Sequence, residues 1–362
     1  MTPVRGGALP DPGFWDGRRV LLTGHTGFKG SWLTCWLQAL GADVMGISLS
    51  ELPTEPSLWA QLDLTGVSDV RADITGGDWT ARARDFAPSV VLHLAAQPLV
   101  SVGYEQPART YEVNVQGTVR VLDLVASLPS VEAALVITTD KVYDPAQTPP
   151  HDEHHSFGGR EPYSASKAAA EIVVAGWPPM RAPRATARAG NVIGGGDWAH
   201  NRLLPDLVRA WTAGAAPELR RPQGVRPWQH VLEPLRGYLV FAEALAHGRA
   251  MPRGLNFGPA DAQAVSVAEL TAFAAAAWKR LGGDLPEPAW TEAATAEFEE
   301  TGELILDSRL ASEQLGWSSV LDWQTAVTLT LEWYAAARAG EAPAGLIERQ
   351  LAAYANVVRS TA

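Results

Sequence analysis

The chain has 362 residues, of which 46% are hydrophobic and 19% charged, with 29 Lys+Arg against 40 Asp+Glu and a formal net charge of −11. That apolar fraction is too high for a disordered chain, and the acid excess argues against a protein that grips nucleic acid through a basic surface. No apolar run approaches the roughly 20 residues of a membrane-spanning helix, so neither a nucleic-acid nor a membrane partner is expected.

Residues 1–16 carry Pro3, Pro10 and Pro12 and lack the apolar core of a leader, so residues 1–13 are expected to form a flexible arm. A single cysteine, Cys35, permits no internal disulfide and fits a cytoplasmic chain; set among Trp32, Leu33, Trp36 and Leu37, it reads as helix packing. Residues 19–23 predict a strand ending at Gly24, and residues 28–40 a helix closed by Gly41. Strands are predicted at 43–49, 89–94 and 133–138, with a helix over 111–126. This alternation predicts an α/β fold with a doubly wound parallel sheet. The second half is broken by Trp177-Pro178-Pro179, Gly194-Gly195-Gly196 and Arg221-Pro222-Gln223-Gly224, and carries helical patterns at 267–281 and 323–337. The expected organisation is a nucleotide-binding domain over 14–190, to which the chain returns in part of 225–260, and a smaller C-terminal substrate-binding domain mainly over 191–355.

Between the first strand and first helix lies Thr23-Gly24-His25-Thr26-Gly27-Phe28-Lys29-Gly30. Glycines three apart let the backbone turn tightly and approach a pyrophosphate, which the unpaired N–H groups of the helix N-terminus then hold. A ligand-free glycine turn has the same composition, but the strand–loop–helix context favours a dinucleotide site of Rossmann type. The acid that commonly reads the ribose is displaced here: Ser50 occupies the expected place and Glu51 follows. No Lys or Arg occurs between Lys29 and Arg71, which favours NAD over NADP. Asp73-Ile74 is a candidate for the adenine edge.

Tyr163-Ser164-Ala165-Ser166-Lys167 puts a phenol and an ammonium at i and i+4 on one helix face. A neighbouring Lys⁺ favours the phenolate and should bring the phenol down from about 10 toward working pH, making it a base for a sugar or alcohol hydroxyl. Thr138-Thr139-Asp140-Lys141 ends a strand, where α/β folds build their sites.

With these motifs together the chain resembles the extended short-chain dehydrogenase/reductase enzymes that act on nucleotide sugars. Four longer runs are similar to the CDP-glucose 4,6-dehydratases among them. These are the glycine loop extended through Ser31-Trp32-Leu33, Ala95-Ala96-Gln97-Pro98-Leu99-Val100, the run from Arg188-Ala189-Gly190-Asn191 to Asp197-Trp198, and the run from Arg226-Pro227-Trp228 to Pro234. The likeness runs over about residues 14–317. It implies bound NAD held by Gly24, Gly27, Phe28, Lys29, Gly30, Asp73, Ile74, Leu94, Ala95, Ala96, Gln97, Tyr163 and Lys167. Tyr163 would take the proton of the glucose 4-hydroxyl as NAD accepts the hydride from carbon 4. Thr139 would hydrogen-bond the 4-oxygen, Asp140 would protonate the departing 6-hydroxyl, and Lys141 would be the base at carbon 5. The hydride would return to carbon 6. Gln97, Asn191, Arg202 and Arg226 would contact the nucleotide sugar, CDP-glucose first among candidates, with Trp228 beside them. The chain departs from the family pattern at Ser101, where an Arg is common. The resemblance also implies a homodimer or homotetramer paired through the Tyr163 helix and its neighbour.

His151, Asp152, Glu153, His154 and His155 imitate a metal cluster, but five adjacent residues beside Pro149-Pro150 read as a solvated loop and no metal is expected. The Glu297–Glu300 acidic run reads as a solvated face. Two rival functions share these features. A nucleotide-sugar 4-epimerase needs the loop, Tyr163 and Lys167 but not Asp140 and Lys141 for elimination. A non-catalytic NAD-binding regulator needs neither Tyr163 nor Lys167.

Overall fold

The computed structural model describes residues 8–259, 264–293 and 304–361. Seven strands form one all-parallel sheet: β1 (Arg19–Thr23), β2 (Asp43–Ser48), β3 (Val67–Arg71), β4 (Val90–His93), β5 (Ala133–Ile137), β6 (Arg184–Ala189) and β9 (Gly254–Phe257). The spatial order is β9-β6-β5-β4-β1-β2-β3. Apolar β1, β4 and β5 occupy the middle because helices cover both faces there, so each needs apolar side chains in both directions. The order reverses between β1 and β4, and the crevice beyond their C-terminal ends is where such sheets bind ligands.

A smaller sheet joins β7 (Asn191–Ile193), β8 (Val225–His230) and β10 (Ala264–Ser266) in the order β10-β8-β7. The helices used below are α1 (Phe28–Ala39), α2 (Gly117–Ser127), α3 (Pro162–Gly176), α4 (Leu232–Ala246), α5 (Val267–Arg280), α6 (Trp323–Arg338) and α7 (Pro343–Thr361). After β8 the chain returns to the large sheet: α4 packs against β5, and β9 pairs with β6. The C-terminal part does not stand apart either, since α7 packs on α1, and one apolar core runs from Trp32 through Leu235 to Val358. Among the described residues no helix is long and apolar enough to cross a membrane.

Three expectations need correction. The arm is docked from residue 8 onward, residues 1–7 lying outside the described part. The Asp11 side chain caps the short helix Pro12–Trp15, and Trp15 Nε1 donates to Glu243 Oε1 at 2.5 Å. Burying Trp15 completely anchors what the prolines suggested was loose. Second, the helix expected over 111–126 is interrupted by a π-helical turn, Glu112–Gln116, ahead of α2. That turn aims Asn114 inward: its Oδ1 accepts from Gln97 N at 2.8 Å, and its Nδ2 donates to Ser166 Oγ at 2.8 Å. Third, the segment at 151–155 is not simply solvated. His151 is buried, stacks on Tyr143 with ring centroids 5.1 Å apart, and donates its backbone N–H to Ile305 at 2.7 Å. Among the described residues no cluster of three His, Cys, Asp or Glu has metal-site geometry. The acidic run at 297–300 lies outside the described residues. Cys35 lies in α1 as expected, its thiol pushed up to about 12 by burial.

Candidate active site

Strand β1 ends in Thr23, and the chain must turn at once to enter α1. Gly24 makes that turn at φ +77°, and a Cβ there would meet the Ala95 backbone N at 2.7 Å. A Cβ at Gly30 would meet the Gly24 carbonyl oxygen at 2.1 Å. These two glycines let the loop lie flat between β1 and β4. In the middle of β2, Gly46 leaves room for the His25 ring, which a Cβ would meet at 2.3 Å. His25 Nδ1 and Ser48 Oγ are 2.9 Å apart, and Ser48 Oγ accepts from Thr26 N at 3.3 Å, so the loop is tied to the neighbouring strand.

Helix α1 begins after Gly27 with no side chain capping its N-terminal N–H groups. Open donors at the positive end of a 12-residue helix, above a backbone cradle that side chains would fill, suit a diphosphate. This is the fit expected for a dinucleotide.

The crevice opens into a cavity of about 610 Å³. Gly24, Gly27, Phe28, Lys29 and Gly30 line it, with Asp73, Ile74, Leu94, Ala95 and Ala96. Thr139, Asp140, Lys141, Tyr163 and Lys167 line it as well, together with Asn191, Arg202, Arg226 and Trp228. Gln97 is the exception. Its Nε2 donates to Leu99 O (3.1 Å) and Thr110 Oγ1 (2.8 Å), and its Oε1 accepts from Leu99 N (2.6 Å). The amide is spent shaping its own loop, so the expected ligand contact by Gln97 is not supported.

Asp73 is not a free carboxylate at the adenine end. It accepts from Thr75 N and Oγ1 and from Arg109, whose other amino group reaches Glu112 at 2.7 Å. Arg109 also lines the cavity, a cation brought in from outside the stretch between Lys29 and Arg71. Arg220 and Arg221 join Arg202 and Arg226 among the lining residues, giving the cavity an anion-binding character. The signal for them was the Arg-Arg pair inside a Pro/Gly-rich break. Arg202 is also drawn to the buried Asp197 at 3.5 Å.

At the centre, Tyr163 opens α3. The Glu161 carboxylate caps the helix, accepting from Tyr163 N at 2.7 Å and Ser164 N at 2.9 Å. The Thr139 hydroxyl hydrogen-bonds the Tyr163 phenol and also donates to Asp140 Oδ1 at 2.9 Å. Asp140 is fully inside, its Oδ2 has no hydrogen-bond partner, and burial raises its carboxyl above the usual range despite Lys141 and Arg226 nearby.

One electrostatic expectation is reversed. Burial pushes the Tyr163 phenol up to about 12, opposed by the Thr139 hydrogen bond and reinforced by Asp140 and Glu161. Lys167 Nζ donates to the Ile137 carbonyl at 3.0 Å, and burial brings this lysine down to about 8. The protein alone therefore keeps Tyr163 protonated. A further positive charge in the cavity is needed to ionise it, and an oxidised nicotinamide ring carries one. Lys29 is also brought down, to about 7, by burial and by the Arg202 and Lys167 charges.

Comparison with known proteins agrees with this construction. Residues 20–255 match the NAD dependent epimerase/dehydratase family. The chain belongs to that family. A relative from Salmonella typhimurium, CDP-glucose 4,6-dehydratase, is 40% identical over 347 residues, covering 91% of this chain and 94% of its own. The dTDP-glucose 4,6-dehydratase of Xanthomonas campestris (strain B100) is 25% identical, covering 87% and 92%. Among solved structures, the epimerase Mth375 of Methanothermobacter thermautotrophicus superposes with a TM-score of 0.78 at 22% identity, covering 93% of this chain and 96% of its own. Epimerase/dehydratase membership makes NAD the dinucleotide of the glycine-loop cradle.

Proposed function

We propose that this chain is a CDP-glucose 4,6-dehydratase, converting CDP-glucose to CDP-4-dehydro-6-deoxyglucose and water. The observation that carries the reading is the 40% identity to such an enzyme over nearly both full lengths, joined to a cavity that holds Tyr163, Thr139, Asp140 and Lys141 together. Bound NAD supplies a reversible two-electron acceptor, so the sugar is oxidised at carbon 4 and reduced at carbon 6 with no net redox change. The phenolate of Tyr163 takes the proton of the 4-hydroxyl. Thr139, already bonded to that phenol, holds the 4-oxygen in line with it.

The 4-keto group acidifies the proton on carbon 5, and Lys141 removes it. Asp140 gives its proton to the 6-hydroxyl as the carbon–oxygen bond breaks, and water leaves. A carboxyl that burial shifts toward its protonated form, with one oxygen unpartnered, is suited to that donation. Arg202, Arg220, Arg221 and Arg226, which line the cavity, receive the diphosphate. Family enzymes resembling this chain pair through the Tyr163 helix, and a homodimer or homotetramer is the proposed assembly. A cytoplasmic setting is proposed from the single cysteine.

Mass analysis of products from CDP-, dTDP-, GDP- and UDP-glucose tests this reading. The expected result is a product lighter by one water, made fastest from CDP-glucose. A product of unchanged mass would mean epimerisation, and strong preference for dTDP-glucose would overturn the nucleotide.

A further inference from the structure

We infer that Glu171, locked by Arg188, is a positioning residue for this reaction: it ties α3, the helix of Tyr163 and Lys167, to the 139–141 turn and sets its carboxylate on the helix face that carries Lys167. The inference rests on the proposed dehydratase reading for what the site does. The clamp itself is read from geometry.

Tyr163, Lys167 and Glu171 lie at i, i+4 and i+8 along one face of α3. Both carboxylate oxygens of Glu171 are fully used. Oε1 accepts from Thr138 Oγ1 at 2.5 Å and Arg188 Nε at 2.8 Å; Oε2 accepts from Thr186 Oγ1 at 2.6 Å and Arg188 Nη2 at 2.9 Å. Arg188 Nη1 then donates to the Tyr143 hydroxyl at 2.8 Å, which donates to Asn256 Oδ1 at 2.7 Å. Thr138 precedes the 139–141 turn and Tyr143 follows it, so one ion pair is tied to both ends of that turn.

The pair is almost wholly enclosed, with side-chain exposures of 5% for Arg188 and 2% for Glu171. The sheet makes room for it, since a Cβ at Gly254 would meet Arg188 Nη2 at 2.4 Å. A buried ion pair of this kind rarely adds net stability over an apolar packing of equal volume. What it adds here is a fixed distance and a fixed charge. Helix α3 could otherwise slide along β5 and β6, carrying Tyr163 away from Thr139.

The charge matters because the other groups around Lys167 do not supply it. Lys29 of α1 is a cation or neutral and never an anion, and His93 of β4 is neutral at working pH because burial brings it down to about 3. Asp140 and Tyr163, which line the same cavity, are held toward their uncharged forms by burial, and Arg188 is a cation. Glu171 favours the protonated amine against its desolvation.

The test uses the holoprotein. The chain has four lysines, at 29, 141, 167 and 279, so carbon-13 labelling at the lysine ε-carbon gives four resonances whose pH titrations can be followed singly. In Glu171→Gln, Lys167 is expected to titrate about one pH unit lower, and kcat at pH 8 to fall about tenfold with KM within about threefold. Glu171→Asp, which keeps the charge but loses reach, should restore the titration and only part of kcat. An unmoved Lys167 titration in a folded Glu171→Gln variant overturns the inference. Should that variant not fold, Thr138→Val decides: a fall in kcat of about fivefold or more with unchanged KM supports the clamp, and an unchanged kcat overturns it. Absence of turnover of any nucleoside-diphosphate glucose by the unmutated enzyme would sink the dehydratase reading instead, while the Lys167 titration would still judge the clamp.

Discussion

Lys29, on the first turn of α1, and Lys167, on the second turn of α3, are 138 residues apart and raise the cost of each other's charge inside one cavity. With Lys141, three of the chain's four lysines line this site. Lysine is the cation whose proton a desolvated pocket can remove, whereas arginine keeps its own. Arg202, Arg220, Arg221 and Arg226 line the same cavity and suit a diphosphate.

The Lys29 shift has a stability consequence. Its folded value, about 7, lies below the ordinary 10.5, so between those pH values the unfolded chain binds more protons than the folded one. Stability contributed through this group therefore rises with pH across that window, by at most roughly 1.4 kcal/mol per pH unit. Lys29→Met should remove that rise, leaving the variant the more stable one near pH 7 and without advantage near pH 10. Denaturant melts of the two proteins across pH check it.

Asp140 should trade stability for chemistry. Its folded carboxyl is raised above the unfolded value, so at neutral pH it costs stability, and the cost disappears as pH falls through the unfolded value. Asp140→Asn is expected to raise the melting temperature at pH 7 and to lower kcat by about 10²-fold. Reduced cofactor should also accumulate under turnover, visible by its near-ultraviolet absorbance. A variant that eliminates water at the normal rate contradicts the acid role.

Tyr163→Phe removes one hydroxyl whose bond is to Thr139, with the Glu161 cap of α3 untouched. The fold and bound NAD should persist while turnover falls by about 10²–10⁴-fold. Cofactor content measured after denaturation separates lost chemistry from lost binding.

Gly30→Ala places a methyl 2.1 Å from the Gly24 carbonyl oxygen and 2.7 Å from the His25 Cα, both backbone atoms that cannot swing aside. Loss of about 1–3 kcal/mol of stability is expected, together with much weaker retention of NAD during gel filtration. Gly77→Ala, where nothing lies within 4 Å, is the control and should change neither.

The periodicities and short motifs carried a great deal. Strands expected at 19–23 and 133–138, the second observed over 133–137, the glycine loop, and the Tyr163–Lys167 pair were all readable because each depends on neighbours in the chain. Apolar runs specify buried strands, Gly24 specifies a turn, and i, i+4 spacing specifies a shared helix face. Gln97 marks the limit of such local signals: its motif identifies the loop, but only the folded loop shows the amide turned back on Leu99 and Thr110. The π-helical turn at 112–116 was invisible because a single inserted residue does not disturb an apolar pattern that tolerates helix drift.

By itself the sequence determined the alternating α/β architecture, the glycine loop after the first strand and the shared helix face of Tyr163 and Lys167, since these follow from local backbone sterics and residue spacing. Tertiary structure alone decided the electrostatics and the spacing. It buried Tyr163 so that its phenol stays protonated, left Asp140 Oδ2 without a partner, brought Arg109 to Asp73, and closed Glu171 onto Arg188 from the other side of the helix–sheet boundary. Desolvation and charge–charge contact act through space, between groups whose separation along the chain says nothing of their distance in the fold.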